Sequence, residues 1–82
     1  MRDLTRSSSS EEKVDAQQLG QTISTTRKRL RLSQTYVAEL AGLSGRQLLE
    51  WEAGRGNPSF EQLQAVLNVL GLTLKIEPRE LA

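Results

Sequence analysis

The sequence lacks two of the side chains on which much protein chemistry depends. It contains no cysteine and no histidine among its 82 residues. Without cysteine, neither disulfides nor thiolate metal sites can form in these residues. Without histidine, the commonest general base and the commonest metal ligand are also missing. We therefore expect no catalytic site, no metal site and no cofactor.

Long apolar stretches are scarce as well. No run approaches the roughly 20 residues that a transmembrane helix needs, and the opening "MRDLTRSSSS" lacks the apolar centre of a signal peptide. We expect a cytoplasmic protein with no membrane partner. A chain of 82 residues suffices for one domain with one small core.

Charge is distributed unevenly although the formal net charge is only +1. Residues 20–60 hold six of the basic side chains and three of the acidic ones. A positive middle segment suits a polyanionic partner. The run "RKRLR" also has a simpler interpretation, because cations commonly stand at the negative end of a helix dipole.

Four helices are predicted from apolar periodicity and capping signals. The first begins between Ser9 and Asp15, because "SSEE" and "DAQQ" both fit a capping box. It ends near Arg31, and its apolar face consists of Leu19, Ile23 and Leu30. The fourth is capped by Ser59 with Gln62 and closed by Gly71, with an apolar stripe at Phe60, Leu63, Val66, Leu67 and Leu70.

Two short helices lie between these, in "SQTYVAELAGLSGRQLLEWEAG". The second helix follows Ser33, ends at Gly42 where a positive φ is needed, and buries Val37, Ala38, Leu40 and Ala41. The third starts at Ser44 with Gln47 as its capping-box partner, and turns Leu48 and Trp51 inward. Two helices joined by a glycine-containing turn of three or four residues form a helix-turn-helix unit.

The pattern changes after Gly71. "LTLKIE" alternates Leu72, Leu74 and Ile76 with polar residues, which is typical of a strand, and Pro78 stops it. A lone strand is unstable in water, so we expect it to pair with its own copy in a homodimer. The predicted organisation is a polar arm (1–14), a helix-turn-helix domain (15–71), a dimerisation strand (72–77) and a tail (78–82).

The stretch "SQTYVAELAGLSGRQLLEWEAGRGNPSFEQLQAVLNVLG" resembles the Xre/Cro/C1-type helix-turn-helix family of bacterial and phage repressors. The resemblance covers about residues 19–71. It implies an all-α, lambda-repressor-like fold of four to five helices, to which the predicted strand is added. The segment "LGLTLKIEP" is similar to the C-terminal strand of HipB-type antitoxins, which accompany HipA-type kinases.

The resemblance implies roles for individual residues. Binding to double-stranded DNA falls to residues of the second helix, the third helix and the following loop: Gln34, Thr35, Ser44, Gly45, Arg46, Gln47, Glu50, Arg55 and Asn57. Arg46 would read guanine, whereas Glu50 would either accept from cytosine N4 or pair with Arg46. Arg27 and Glu52 would form a structural ion pair.

These observations favour a nucleoid-associated repressor that binds a palindromic operator as a homodimer. The leading interpretation is the antitoxin and autorepressor of a HipBA-type operon, with a HipA-like kinase toxin as partner. A free-standing or phage-type Xre regulator is the alternative within DNA binding. A protein-interaction module that only neutralises a partner is the alternative of another class, and it leaves the basic middle segment unexplained.

Overall fold

A computed structural model of the chain describes residues 15–76 and 78. It contains four helices, α1 (Ala16–Arg29), α2 (Gln34–Ala41), α3 (Gly45–Glu52) and α4 (Phe60–Leu70). No strand is assigned in the described residues. The predicted polar arm, the alternative helix start at Ser9 and most of the predicted tail lie outside them. None of the four helices is long and apolar enough to cross a bilayer.

Side chains cap all four helix starts. The Asp15 carboxylate accepts a hydrogen bond from the backbone N–H of Gln18 at 2.8 Å, so Asp15 is the N-cap of α1. Ser33 caps α2, and Ser44 and Ser59 cap α3 and α4 within complete capping boxes. These contacts confirm the predicted serine caps, and they satisfy backbone donors that would otherwise lack partners.

Helix ends follow one recurring geometry. Gly42 is left-handed at φ 78°, and the next residue, Leu43, returns its N–H to the Ala38 carbonyl at 2.8 Å. This Schellman motif turns Leu43 inward, where it is 8% exposed and fills the corner between α2 and α3. Leu43 therefore fixes the angle at which α3 leaves α2.

The core lies between the four helices, and each of them contributes to it. It contains one residue from α1, two from α2, the corner leucine, two from α3 and two from α4: Ile23, Val37, Ala38, Leu43, Leu48, Trp51, Val66 and Leu70. Trp51 is only 6% exposed, which confirms its predicted inward position. The DNA-reading candidates on α3 therefore stand on a helix whose opposite face is buried.

Three predicted core residues are exposed instead. Leu30 is 45%, Leu40 57% and Phe60 65% exposed. Leu30 lies beyond the end of α1, where Arg31 takes a positive φ of 62° and the half-buried Leu32 packs against the core in its place.

The other two errors concern helix geometry. Leu40 lies on the flank of α2, because successive helical residues are 100° apart and the buried face is centred between Val37, Ala38 and Ala41. Phe60 is the first residue of α4, and its side chain leans toward the helix N-terminus and away from the core. Apolar spacing alone did not show where each helix leaves the core.

A glycine that the sequence pattern did not single out sets the approach of α1 to α3. Gly20 is buried in the N-terminal half of α1, and a Cβ placed on it would overlap the carbonyl oxygen of Trp51. Any larger residue must therefore push the two helices apart. This contact brings the C-terminal half of α1 beside the end of α3, where Arg27 and Glu52 meet.

Candidate nucleic-acid interface

The exposed start of α3 is held by its capping box. The Ser44 hydroxyl accepts from the backbone N–H of Gln47 at 3.1 Å, and the Gln47 carboxamide oxygen accepts from the Ser44 N–H at 3.0 Å. Both side chains therefore serve the helix start. Gly45 is exposed between them, and a Cβ built on it meets no atom within 4 Å. This end of α3 leaves room for the backbone to approach another molecule.

The remaining predicted DNA-binding residues lie on three segments. Thr35 is exposed on the first turn of α2, Arg46 on the first turn of α3, and Arg55 and Asn57 in the loop after α3. Gln34 and Glu50 are half-buried. The structure brings four of them into two polar clusters on α3, Gln34 into one and Arg46, Glu50 and Arg55 into the other. Among the described residues, Thr35 and Asn57 form no hydrogen bond or ion pair with either cluster.

The inner cluster is centred on Glu52 at the end of α3. Arg27 of α1 donates to its two carboxylate oxygens, from Nε at 2.7 Å and from Nη2 at 3.0 Å. Arg27 Nη1 also donates to the Leu32 carbonyl at 2.8 Å. The Gln34 carboxamide nitrogen adds a third hydrogen bond to Glu52 at 2.9 Å. The ion pair implied by the resemblance is thus present, and it ties α1, α2 and α3 together.

Burial and hydrogen bonding act in opposite directions on Glu52. Burial raises the pKa of its carboxyl, but the hydrogen bonds from Arg27 and Gln34 lower it, and so does the positive charge of Arg27. The result is a pKa below the usual value of 4.5, so the carboxylate stays charged and keeps its partners. Gln34, one of the predicted DNA-binding residues, is engaged here with Glu52 of α3.

The outer cluster is centred on Glu50, one half-turn earlier on α3. Arg55 Nε donates to Glu50 Oε1 at 2.6 Å, and Arg46 Nε lies 3.8 Å from Glu50 Oε2. The predicted i,i+4 pair with Arg46 is therefore the longer of two. The hydrogen bond from Arg55, followed by the charges of Arg55 and Arg46, lowers the pKa of the Glu50 carboxyl against the opposing effect of desolvation. Glu50 remains an anion between two cations.

The Arg55–Glu50 contact was missing from the sequence interpretation, although the sequence carries a signal for it. Gly54 is left-handed at φ 85°, and the N–H of Arg55 returns to the Glu50 carbonyl at 2.8 Å. In a Schellman motif the residue after the glycine folds back over the residue four positions before that glycine. The spacing of Glu50, Gly54 and Arg55 therefore predicts that the two side chains meet.

The C-terminal segment lies beside α1 and α4. Leu72 and Leu74 are half-buried, and Ile76 is 85% exposed. Leu72 packs against the core, and its N–H returns to the Leu67 carbonyl at 2.8 Å. A shallow groove follows this segment, lined by Leu19, Leu67, Leu72 and Leu74 among others. Residues 72–76 do not form a strand in the described part of the chain, so the predicted strand and its pairing stay a prediction.

No cluster of three or more acidic residues within residues 15–76 is arranged to hold a metal ion. A surface cleft of about 550 Å³ lies along α1 and reaches Glu52. Its walls are mostly uncharged and polar, and Glu52 there is already bound to Arg27 and Gln34. The exposed cations near α3 are Arg46 on its first turn and Arg55 just after its end.

Comparison with known proteins places this geometry in a family. The chain is 43% identical over 54 residues to the immunity repressor protein of Bacillus phage phi105. These 54 residues make up 66% of this chain and 38% of the phage protein. It also resembles the crystal structure of the clp gene regulator ClgR from Corynebacterium glutamicum, with a TM-score of 0.70 and 29% identity. That similarity covers 76% of this chain and 66% of the ClgR chain.

The chain therefore spans well under half of the phage repressor and about two thirds of the ClgR chain. The family HTH_3, described as helix-turn-helix, matches residues 23–76. That range begins inside α1 and includes the whole of α2, α3 and α4. It therefore contains both polar clusters of α3, from Arg27 to Arg55. By its sequence and by the arrangement of α2 and α3, this chain belongs to the helix-turn-helix family HTH_3.

Proposed function

We propose that the protein is a transcriptional regulator that binds double-stranded DNA in a sequence-specific manner, with α3 as the reading helix. The observation that supports this most directly is the outward start of α3, where Gly45, Arg46 and the capping residues are exposed on a helix anchored by Leu48 and Trp51. The family and the two relatives support a regulator rather than an enzyme.

Three features suit a DNA groove. The major groove admits an α-helix, and an arginine on it pairs bidentately with guanine O6 and N7. Arg46 is 82% exposed at its side chain on the first turn of α3. The backbone N–H groups at the starts of α2 and α3, near Thr35 and Gly45, suit phosphate oxygens. Arg55 and Asn57, in the loop after α3, could donate further hydrogen bonds to phosphate oxygens.

The test uses a duplex that the full-length chain selects from a random-sequence library. Arg46→Ala should weaken binding to that duplex by about 1–3 kcal/mol and relax the preference at one base pair. Gln34→Ala should weaken binding more evenly across sequences, because it removes one support of Glu52 at the end of α3 and reads no base. Arg29→Ala is the matched control, since Arg29 is exposed in the last turn of α1 and is not among the proposed contacts.

Affinity should also fall steeply with added salt, since phosphate contacts release counterions. A chain that selects no sequence, or an Arg46→Ala variant with the same affinity and preference at fixed salt, would contradict the proposal. A chain that binds only proteins would instead support the interaction module.

We further propose that the protein acts as a homodimer on a palindromic operator, with half-sites about one helical turn apart. The alternation of Leu72, Leu74 and Ile76 suits antiparallel pairing of two C-terminal segments, because pairing satisfies backbone groups and would help to cover Ile76, which is 85% exposed. Leu74→Pro should give a monomer in sedimentation that binds the operator weakly but keeps its helical signal. Thr73→Ala retains every backbone donor and should remain dimeric.

Two biological settings fit such a repressor. The phage immunity repressor favours a free-standing or phage-type regulator, since it shares 43% identity with residues of this chain. The antitoxin and autorepressor of a HipBA-type operon is supported by the alternating C-terminal segment alone. Co-purification of a HipA-like kinase with the tagged chain would select the antitoxin. Operator binding with no kinase partner in the neighbouring genes would select the free-standing regulator.

A further inference from the structure

The end of α3 gives the Glu50 carboxylate two unequal partners. Arg55 is held twice, by its backbone N–H to the Glu50 carbonyl at 2.8 Å and by its side-chain Nε to Oε1 at 2.6 Å. Arg46 approaches only to 3.8 Å from Oε2, which is beyond hydrogen-bond length. Arg55 is thus fixed at the helix end, while Arg46 is tethered but remains free to extend.

The same cluster offsets the repulsion that an acidic residue on a DNA-facing helix would exert on phosphates. A lone carboxylate there would repel phosphates. Glu50 instead lies between two guanidinium groups, with a side chain 29% exposed against 82% for Arg46 and 63% for Arg55. The cluster carries one net positive charge, and its two more exposed members are the cations. An approaching polyanion would therefore meet the arginines before the carboxylate.

From this geometry we propose that Glu50 is a positioning residue, which directs Arg46 toward its base pair and Arg55 toward the phosphate backbone and itself reads no base. The inference rests on the proposed DNA-binding function. Oε1 is used by Arg55, and Oε2 faces Arg46, so neither oxygen is directed to a cytosine amino group. Loss of the carboxylate leaves Arg46 with more rotamers to lose on binding, and its discrimination falls.

The experiment measures base preference at every position of the selected duplex for Glu50→Gln, Arg46→Ala and the double variant. Glu50→Gln should relax the preference at the base pair that Arg46→Ala relaxes, by about three- to tenfold, which is part of what a bidentate contact provides. The double variant should resemble Arg46→Ala alone, because the carboxylate acts through that arginine.

Arg55→Ala is the second variant on the same cluster. It should lower affinity for all duplexes and reduce the slope of log affinity against log salt by about one. Glu39→Gln is the matched control for charge, since Glu39 is exposed on α2 and lies outside the cluster. It should change neither the preference nor the salt slope. Circular dichroism of each variant verifies that the four helices are retained.

Two outcomes would overturn the inference. If Glu50→Gln relaxes a different base pair, Glu50 reads that base directly. If the wild-type chain selects a sequence and Glu50→Gln has the same profile, the cluster is an ordinary solvated surface group. A wild-type chain that selects no sequence would contradict the proposed function itself, so the two failures are distinguishable.

Discussion

Two glutamates on one helix, two positions apart, have opposite environments. Glu52 has a side chain 7% exposed and is held by an arginine that is 10% exposed, whereas Glu50 and its partner Arg55 are 29% and 63% exposed. Both form ion pairs at about the same distance, 2.7 Å and 2.6 Å. The contrast teaches that distance alone does not tell what an ion pair does, because burial sets the cost of leaving a charge unpaired.

The inner cluster connects three helices, whereas the Arg55–Glu50 pair of the outer cluster connects α3 to the loop that follows it. Arg27 comes from α1, Gln34 from α2 and Glu52 from α3. Arg55 follows Glu50 by five residues within one local motif. We therefore expect the inner cluster to control stability and the outer cluster to control recognition. The following predictions test that division, from the largest effect to the smallest.

Removing Arg27 should have the largest effect. Arg27→Ala leaves the Glu52 charge buried without its ion-pair partner, and we expect a loss of about 3 kcal/mol in the free energy of unfolding. Urea denaturation followed by circular dichroism measures it. Arg29→Ala, in the same last turn of α1 but exposed, should remain within about 0.5 kcal/mol of the wild type. Equal losses in the two variants would remove the contrast between buried and exposed arginines.

Gly20 tests whether the inner cluster depends on the close approach of α1 to α3. Gly20→Ala places a methyl group against the Trp51 carbonyl, and overpacking of this kind costs about 1–3 kcal/mol. Gly45→Ala is the matched control, because it meets no atom and has ordinary helical backbone; it should be as stable as the wild type or slightly more stable. A stable Gly20→Ala variant would mean that the helices separate without loss.

Acid should weaken the inner cluster. The pKa of Glu52 is lowered in the folded state, so its contribution is present above the unfolded value of 4.5 and is lost as the pH falls through the folded pKa. The difference in Tm between wild type and Glu52→Gln should therefore narrow as the pH is lowered from neutral to well below 4.5. A difference in Tm that stays constant as the pH falls would show that the Glu52 charge contributes nothing to stability.

The outer pair should give the smallest effect on stability. Arg55→Ala removes an exposed contact that water and salt screen, so we expect no measurable change in Tm in low or high salt. The same variant should weaken DNA binding, as argued above. A clear drop in Tm would mean that Arg55 stabilises the end of α3. The outer cluster would then contribute to stability, as the inner cluster does.

The sequence alone determined the local features of this protein. Ser33, Ser44 and Ser59 begin helices because a hydroxyl accepts from the first free N–H groups, and Gly42 and Gly71 end them because they tolerate a left-handed backbone. The helix-turn-helix unit, the buried Trp51 and the family follow from such signals and their spacing. These depend on neighbours within a few positions, so the pattern of residues suffices.

Tertiary structure decided which apolar and charged residues are covered. Leu40 and Phe60 have the same chemistry as Leu48 and Val66, yet they are exposed because no other helix lies over their faces. Glu50 and Glu52 are identical in type, and the packing of α1 against α3 brings Arg27 to one of them. Burial is a property of how helices meet, and it depends on residues far apart in sequence, which periodicity along one helix does not contain.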